Sequence, residues 1–145
     1  MNKDDYRRGR HVVYDLHAHI VLTPKYRRKV MTERVHALIE ETTKEVCHRF
    51  DVVVDEFYTD QDHAHLLITY PPKVSLSTLI GAIKTNTAKR VRAAGFEEVQ
   101  RALWGEHFWS PSYFVASTGG APLEKVRVYV QQQGQVPRGP GNPLW

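Results

Sequence analysis

The stretch Asp62-His63-Ala64-His65-Leu66-Leu67-Ile68 constrains the fold more than any other part of the chain. On a β-strand, residues i and i+2 point to the same face. His63 and His65 therefore face one way, and Ala64, Leu66 and Ile68 face the other. A strand of this kind needs a core on one side and leaves chemistry on the other. The Cα atoms of such a pair stand about 6.6 Å apart, close enough for two imidazoles to converge on one metal ion. The motif is short, and two histidines on a half-exposed strand are its alternative reading.

A second stretch bears on that choice. Leu123 to Gly134 has the pattern of a helix, with Pro122 suited to the first helical position and Gly134 to a C-terminal cap. Leu123, Val126 and Val130 form its apolar stripe. Tyr129 and Gln133 are four apart and share another face. That face offers a phenol nucleophile and an amide oxygen that can act as a third metal ligand. Without the His-x-His strand, Tyr129 is simply an amphipathic residue at a core edge and the glutamines a solvated face.

Together these residues resemble the single-tyrosine HUH transposases, the TnpA type of the insertion-sequence 200/605 group. HUH denotes His, a hydrophobic residue, His, and here it is His63-Ala64-His65. Tyr129 matches the catalytic tyrosine of that family and Gln133 the glutamine one turn later that completes its metal site. The basic segment Thr23-Pro24-Lys25-Tyr26-Arg27-Arg28-Lys29-Val30 agrees as well. So does Trp104-Gly105-Glu106-His107-Phe108-Trp109-Ser110 with Tyr113-Phe114-Val115 ahead of the tyrosine helix. The similarity runs from about Tyr14 to Gln133.

The chain has 145 residues, which suits one domain spanning 1–145 with a modest core. Charged residues make up 25% and the net charge is +4, so a polyanionic partner is expected. Cys47 stands alone, which excludes an internal disulfide and a cysteine-rich zinc module. The first ten residues are charged and unlike a signal peptide, and no apolar run approaches the roughly 20 residues of a membrane span. The expected location is cytoplasmic, with no membrane partner.

Residues 1–10 are expected to be a flexible basic arm, and 135–145 a flexible Pro/Gly tail. Between them the patterns predict a strand over Val12–Thr23, a helix over Thr32–Cys47 and strands over Asp51–Thr59 and from His63 to Pro71. A helix over Ser75–Ala94, a loop over Phe96–Glu106 and a strand over His107–Ser117 follow, and Thr118-Gly119-Gly120-Ala121 forms a hinge-like turn before the tyrosine helix. This order implies an α+β fold with helices packed on a sheet. His17 and His19 are a second His-x-His pair, ranked below the first and expected on the opposite sheet face or near DNA.

The resemblance implies the rest. The sheet would be mostly antiparallel and ferredoxin-like or RNA-recognition-like, with the HUH pair on a central strand. His63, His65 and Gln133 would hold Mg²⁺ or Mn²⁺; Asp62, acidic and adjacent in the sequence, is an alternative ligand or the carboxylate that orients a histidine. Tyr129 would cleave single-stranded DNA at hairpin-bearing ends through a 5′-phosphotyrosine. A homodimer would do the work, its tyrosine helices docking in cis or in trans, with no nucleotide cofactor. Arg7, Arg8, Arg10, Lys25, Tyr26, Arg27, Arg28, Lys84 and Arg90 are the candidate DNA contacts. The competing readings are a binding module that holds nucleic acid without cutting it and a metal-dependent nuclease that forms no covalent adduct.

Overall fold

A computed structural model describes residues 6–103 and 105–118. Tyr129, Gln133, the late helix, the glycine hinge and the tail lie outside the described residues. The elements are β1 (Arg7–Arg8), β2 (Val13–Tyr14), β3 (His17–Pro24), α1 (Glu33–Arg49), β4 (Val53–Asp60), β5 (His63–Thr69), α2 (Leu76–Ala94), α3 (Glu97–Leu103) and β6 (Trp109–Ser117). The main sheet has the order β4-β5-β3-β6 with every pair antiparallel. From β3 onward this is the strand order of the ferredoxin-like fold, and β5 is central as expected. Among the described residues no helix is long and apolar enough to cross a membrane.

Local signals set the helix ends. Thr32 caps α1 by accepting the Val35 N–H, and Ser75 caps α2 by accepting the Thr78 N–H. Gly95 ends α2 with φ of 67°, a left-handed conformation that costs glycine little. Both helices lie on one face of the sheet. Ala18, Ile20 and Leu22 of β3 and Ala64, Leu66 and Ile68 of β5 pack with Val35 and Ile39 of α1 and Leu79 and Ile83 of α2. Trp109 donates its indole N–H to Thr87 at 2.8 Å, tying the start of β6 to α2.

Three expectations need correction. The first strand is interrupted: Val13–Tyr14 leaves the main sheet to pair with Arg7–Arg8, and β3 starts at His17. Phe96–Glu106 is not all loop, because α3 occupies Glu97–Leu103. A seven-residue helix has little intrinsic stability, but tertiary contacts hold it. Glu98 accepts hydrogen bonds from Thr32 at 2.6 Å and from both reachable nitrogens of Arg34 at 2.9 and 2.6 Å. Finally, His17 and His19 do not lie on the face opposite the first pair. His19 pairs with Leu67 and Val21 with His65, so all four histidines share one face. Residues paired across an antiparallel ladder project to the same side.

Strand β4 carries an irregularity between Val54 and Glu56, where the pairing steps from Ile68 to Leu67. Asp55 is the extra residue of this bulge. Before it, Val54 faces the helices. After it, Phe57 does, while Tyr58 and Asp60 project with the histidines. Pro111 lies within β6, an edge strand, where a missing N–H costs no ladder bond.

Candidate active site

His63 and His65 are each only 1% exposed. The two-residue turn Gln61–Asp62 brings the end of β4 back as β5, so Asp60 pairs with His63 and Tyr58 with His65. The Tyr58 ring stacks on His65 with centroids 4.6 Å apart and planes 14° from parallel. Asp62 Oδ1 lies 2.7 Å from His63 Nδ1. The carboxylate cannot donate, so Nδ1 carries the proton and Nε2 keeps its lone pair. Arg27 in turn holds Asp62, with Nε and one terminal nitrogen both 3.2 Å from Oδ2.

Burial disfavours charge on both rings. Desolvation lowers the His63 pKa against the opposing pull of Asp62, and lowers that of His65 to about 4. Both imidazoles are therefore neutral at pH 7, the form that binds metal. One potential donor atom each from Asp60, His63 and His65 lies within 4.8 Å of the others. His65 Nε2 and Asp60 Oδ2 are 3.3 Å apart. Two ligands ~2.1 Å from a shared ion at ordinary bond angles stand about 3.0–3.4 Å apart. His65 Nδ1 is buried with no hydrogen-bond partner among the described residues. Two neutral imidazoles and a carboxylate fit a divalent cation, and the carboxylate adds the hard oxygen that magnesium or manganese prefers over imidazole alone. Asp60 is the ligand candidate that sequence reasoning missed. The predicted strand stops at Thr59, one residue short of it, and the hairpin register that pairs Asp60 with His63 was the available signal.

The second pair is occupied otherwise. His17 sits between Asp15 at 2.7 Å and Thr69 at 3.0 Å, and Thr69 donates to Asp55 at 2.6 Å. His19 is 4% exposed, contacts Phe114 at 4.8 Å between ring centroids, and is held at about pKa 4 by burial. These two buried rings, His19 and His65, predict acid sensitivity. Each has a folded pKa below the ordinary 6.5, so its contribution is intact above about pH 6.5 and is lost as pH falls toward 4. Thermal unfolding of metal-free protein should show the melting temperature falling through that window. Glu98, held at about 2 mainly by its hydrogen bond from Arg34, stays charged throughout it. His19→Leu should make the slope shallower, and an unchanged slope would refute this assignment.

The candidate DNA contacts divide into groups. Lys25, Tyr26 and Arg27 form a 3-10 turn that directly follows β3. Tyr26 and Arg27 both have left-handed backbones, at φ 60° and 53°. Tyr26 is 62% exposed, with Lys25 Nζ and the Arg28 guanidinium 5.6 and 5.9 Å from its ring centre. Lys84 donates to the Ser110 carbonyl at 2.6 Å. Arg90 turns instead to α1, where it pairs with Glu45. Arg7, Arg8 and Arg10 sit together at the opposite end of the sheet, around a cavity shared with His48 and Lys73.

The family model described as transposase IS200 like matches residues 12–133. The chain belongs to the IS200-like transposase family. Curated members agree with that placement. The ISDra2 transposase TnpA of Deinococcus radiodurans is 25% identical over 129 residues, covering 89% of this chain and 91% of that protein. The transposase for insertion sequence element IS200 of Salmonella typhimurium is 27% identical over 123 residues, covering 85% and 80%. A crystal structure of a candidate transposase from D. radiodurans R1 superposes with a TM-score of 0.72 at 26% identity, over 89% of this chain and 95% of that one. A REP-associated tyrosine transposase bound to a REP hairpin shares the fold, with a TM-score of 0.57 at 14% identity over 90% and 75%. Within this IS200-like transposase, the buried histidine pair sits on the central strand of the sheet, with Asp60 beside it at the end of the neighbouring edge strand.

Proposed function

We propose that this transposase cleaves and rejoins single-stranded DNA at hairpin-bearing element ends through a phosphotyrosine at Tyr129. The observation that supports it most is the convergence of the buried His63 and His65 with Asp60 on one side of the sheet in a chain of this family. A divalent cation, Mg²⁺ or Mn²⁺, would be held by the two imidazoles with Gln133 and Asp60, and would polarise the phosphate and offset its developing charge. Asp62 fixes the His63 ring in the tautomer that leaves Nε2 able to coordinate. Arg27 holds Asp62 in place.

In the reaction itself, the Tyr129 oxygen attacks phosphorus. The new O–P bond forms as the bond from phosphorus to the 3′ oxygen breaks. The phenol gives up its proton, and the leaving oxygen takes one to end as a free 3′-OH. The energy of the phosphodiester is kept in the tyrosine ester, so the same or another 3′-OH can reverse the step without ATP. A phenol with a reference pKa of about 10 needs help to lose its proton at neutral pH. A homodimer would hold two element ends together, and sedimentation as a monomer on DNA would remove that part of the proposal.

The test uses a labelled single-stranded hairpin oligonucleotide, incubated with the protein and Mn²⁺ and run on a denaturing gel. The choice of a hairpin follows the DNA carried by the REP-associated fold relative. A protein-sized, denaturant-resistant labelled band is the expected result. Cut DNA without such a band would mean hydrolysis by water. Binding with neither would mean a module that only holds DNA.

A further inference from the structure

Four cations on the helical layer are neutralised: Arg34 by Glu98, Lys44 by Glu40, Arg90 by Glu45 and Arg101 by Glu97. Lys89 and Arg92 of α2 form no ion pair with any described residue. Both line a cavity of about 390 Å³ between α2 and the first residues of β6, together with Lys84 and His107. Lys84, Ala88 and Arg92 follow at intervals of four and share a helix face. Lys84 and Arg92 are about 12 Å apart along the axis. A second cavity of about 500 Å³ adjoins the first through Ala88, Arg92 and Phe108. Its further walls include Val91, Phe96, Val99 and Leu103 together with Gln100 and Glu106, so it is largely apolar and has no cation beyond the shared Arg92.

From this pairing we infer a second contact site for single-stranded DNA, on the helical side of the sheet and outside the histidine face. Phosphates lie along Lys84, Lys89 and Arg92, and an unpaired base enters the apolar cavity beside Phe96 and Phe108. Cationic grooves flanked by aromatic rings suit single strands, because every base has a π-face and every linkage a charge. A duplex is too wide to enter either cavity.

The site is also connected to the proposed chemistry. The Lys25 N–H donates to the Phe108 carbonyl at 2.8 Å, and Lys25 lines the cationic cavity. Two residues on, Arg27 holds Asp62, which holds His63. Pro24 pairs with Trp109, and Leu22 with Ala64, so the cleft and the histidine pair lie at the same end of the sheet. The start of β6 is two strand spacings from β5, ~10 Å. One strand of DNA can therefore run from the cleft, past the turn bearing Tyr26, to the histidines.

This inference rests on the reading that the chain handles single-stranded DNA. The test compares Lys89→Gln/Arg92→Gln with a control of equal charge change, Lys44→Gln/Arg101→Gln, in binding a fluorescent single-stranded oligonucleotide. The cleft variant should bind about tenfold more weakly at about 0.1 M salt, with a log–log salt slope shallower by about 1.4, roughly 0.7 for each lost contact. The control should change by less than about twofold, since its cations are already paired. Equal weakening in both overturns the site. Photocrosslinking of a bromodeoxyuridine oligonucleotide to the unmutated protein gives a second readout. Crosslinks to peptides containing Phe96 or Phe108 support the site, and crosslinks confined elsewhere overturn it. A protein that forms the tyrosine adduct while its cleft variant binds normally loses this site and keeps the chemistry. A weakened cleft variant in a protein that forms no adduct does the reverse.

Discussion

Tyr129→Phe should abolish the covalent protein–DNA adduct while leaving DNA binding within about twofold. The substitution removes one oxygen and keeps the ring. Loss of a nucleophile that forms the covalent intermediate lowers turnover by about 10⁴-fold or more. Binding should survive because contacts from Arg and Lys to phosphate do not involve the phenol. In both proteins affinity should fall as salt rises. The measurement is a denaturing gel with mass spectrometry of the adduct peptide. Of the seven tyrosines, only Tyr129 lies on the expected late helix with a ligand candidate one turn away. Tyr58 is the one to watch, since it stacks on His65 at 4.6 Å. An adduct on Tyr58 or any other tyrosine would relocate the nucleophile, and an adduct that survives Tyr129→Phe would refute the assignment outright.

The second large effect concerns the histidine pair. Replacing both rings should abolish cleavage and lower divalent-ion affinity by at least about 100-fold, since even residues that only support a ligand cost 10–100-fold. A double alanine variant is a poor choice in this fold. Both rings are 1% exposed, so truncation leaves cavities in the packed sheet, each costing about 2–4 kcal/mol. His63→Asn keeps an amide able to bond Asp62, and His65→Leu keeps the buried volume. Titration of Mn²⁺ by electron paramagnetic resonance reads the affinity without requiring turnover. Asp60→Asn should weaken binding by a smaller factor, because its side chain is 46% exposed and water can take its place. A double variant that binds Mn²⁺ and cleaves like the unmutated protein would overturn the site and bring His17 and His19 back into consideration.

Much of this site was written in local order. His63 and His65 share a face because a strand has a period of two, whatever surrounds it. Thr32, Ser75 and Gly95 mark helix ends because their side chains, or the lack of one, satisfy or permit the terminal backbone. The alternation of Ala64, Leu66 and Ile68 with the histidines already required a core on one side and chemistry on the other. None of this needs knowledge of which segment lies beside which.

The remaining features depend on pairing between distant segments, which local periodicity does not encode. Counting by twos from Val54 puts Tyr58 and Asp60 on the helix-facing side. The extra residue at Asp55 reverses that parity and delivers both to the histidines. The same holds for His17 and His19, which the pairing of Val21 with His65 puts on the side of the first pair and not on the opposite one. α3 exists because Glu98 reaches Thr32 and Arg34, more than sixty residues earlier in the chain. The cationic cleft appears only when β6 is laid against α2. Sequence by itself determined that His63 and His65 can do chemistry and that they share one face of a regular strand. Tertiary structure alone decided which of them meet, because register and bulges are settled by the neighbouring strand and by packing.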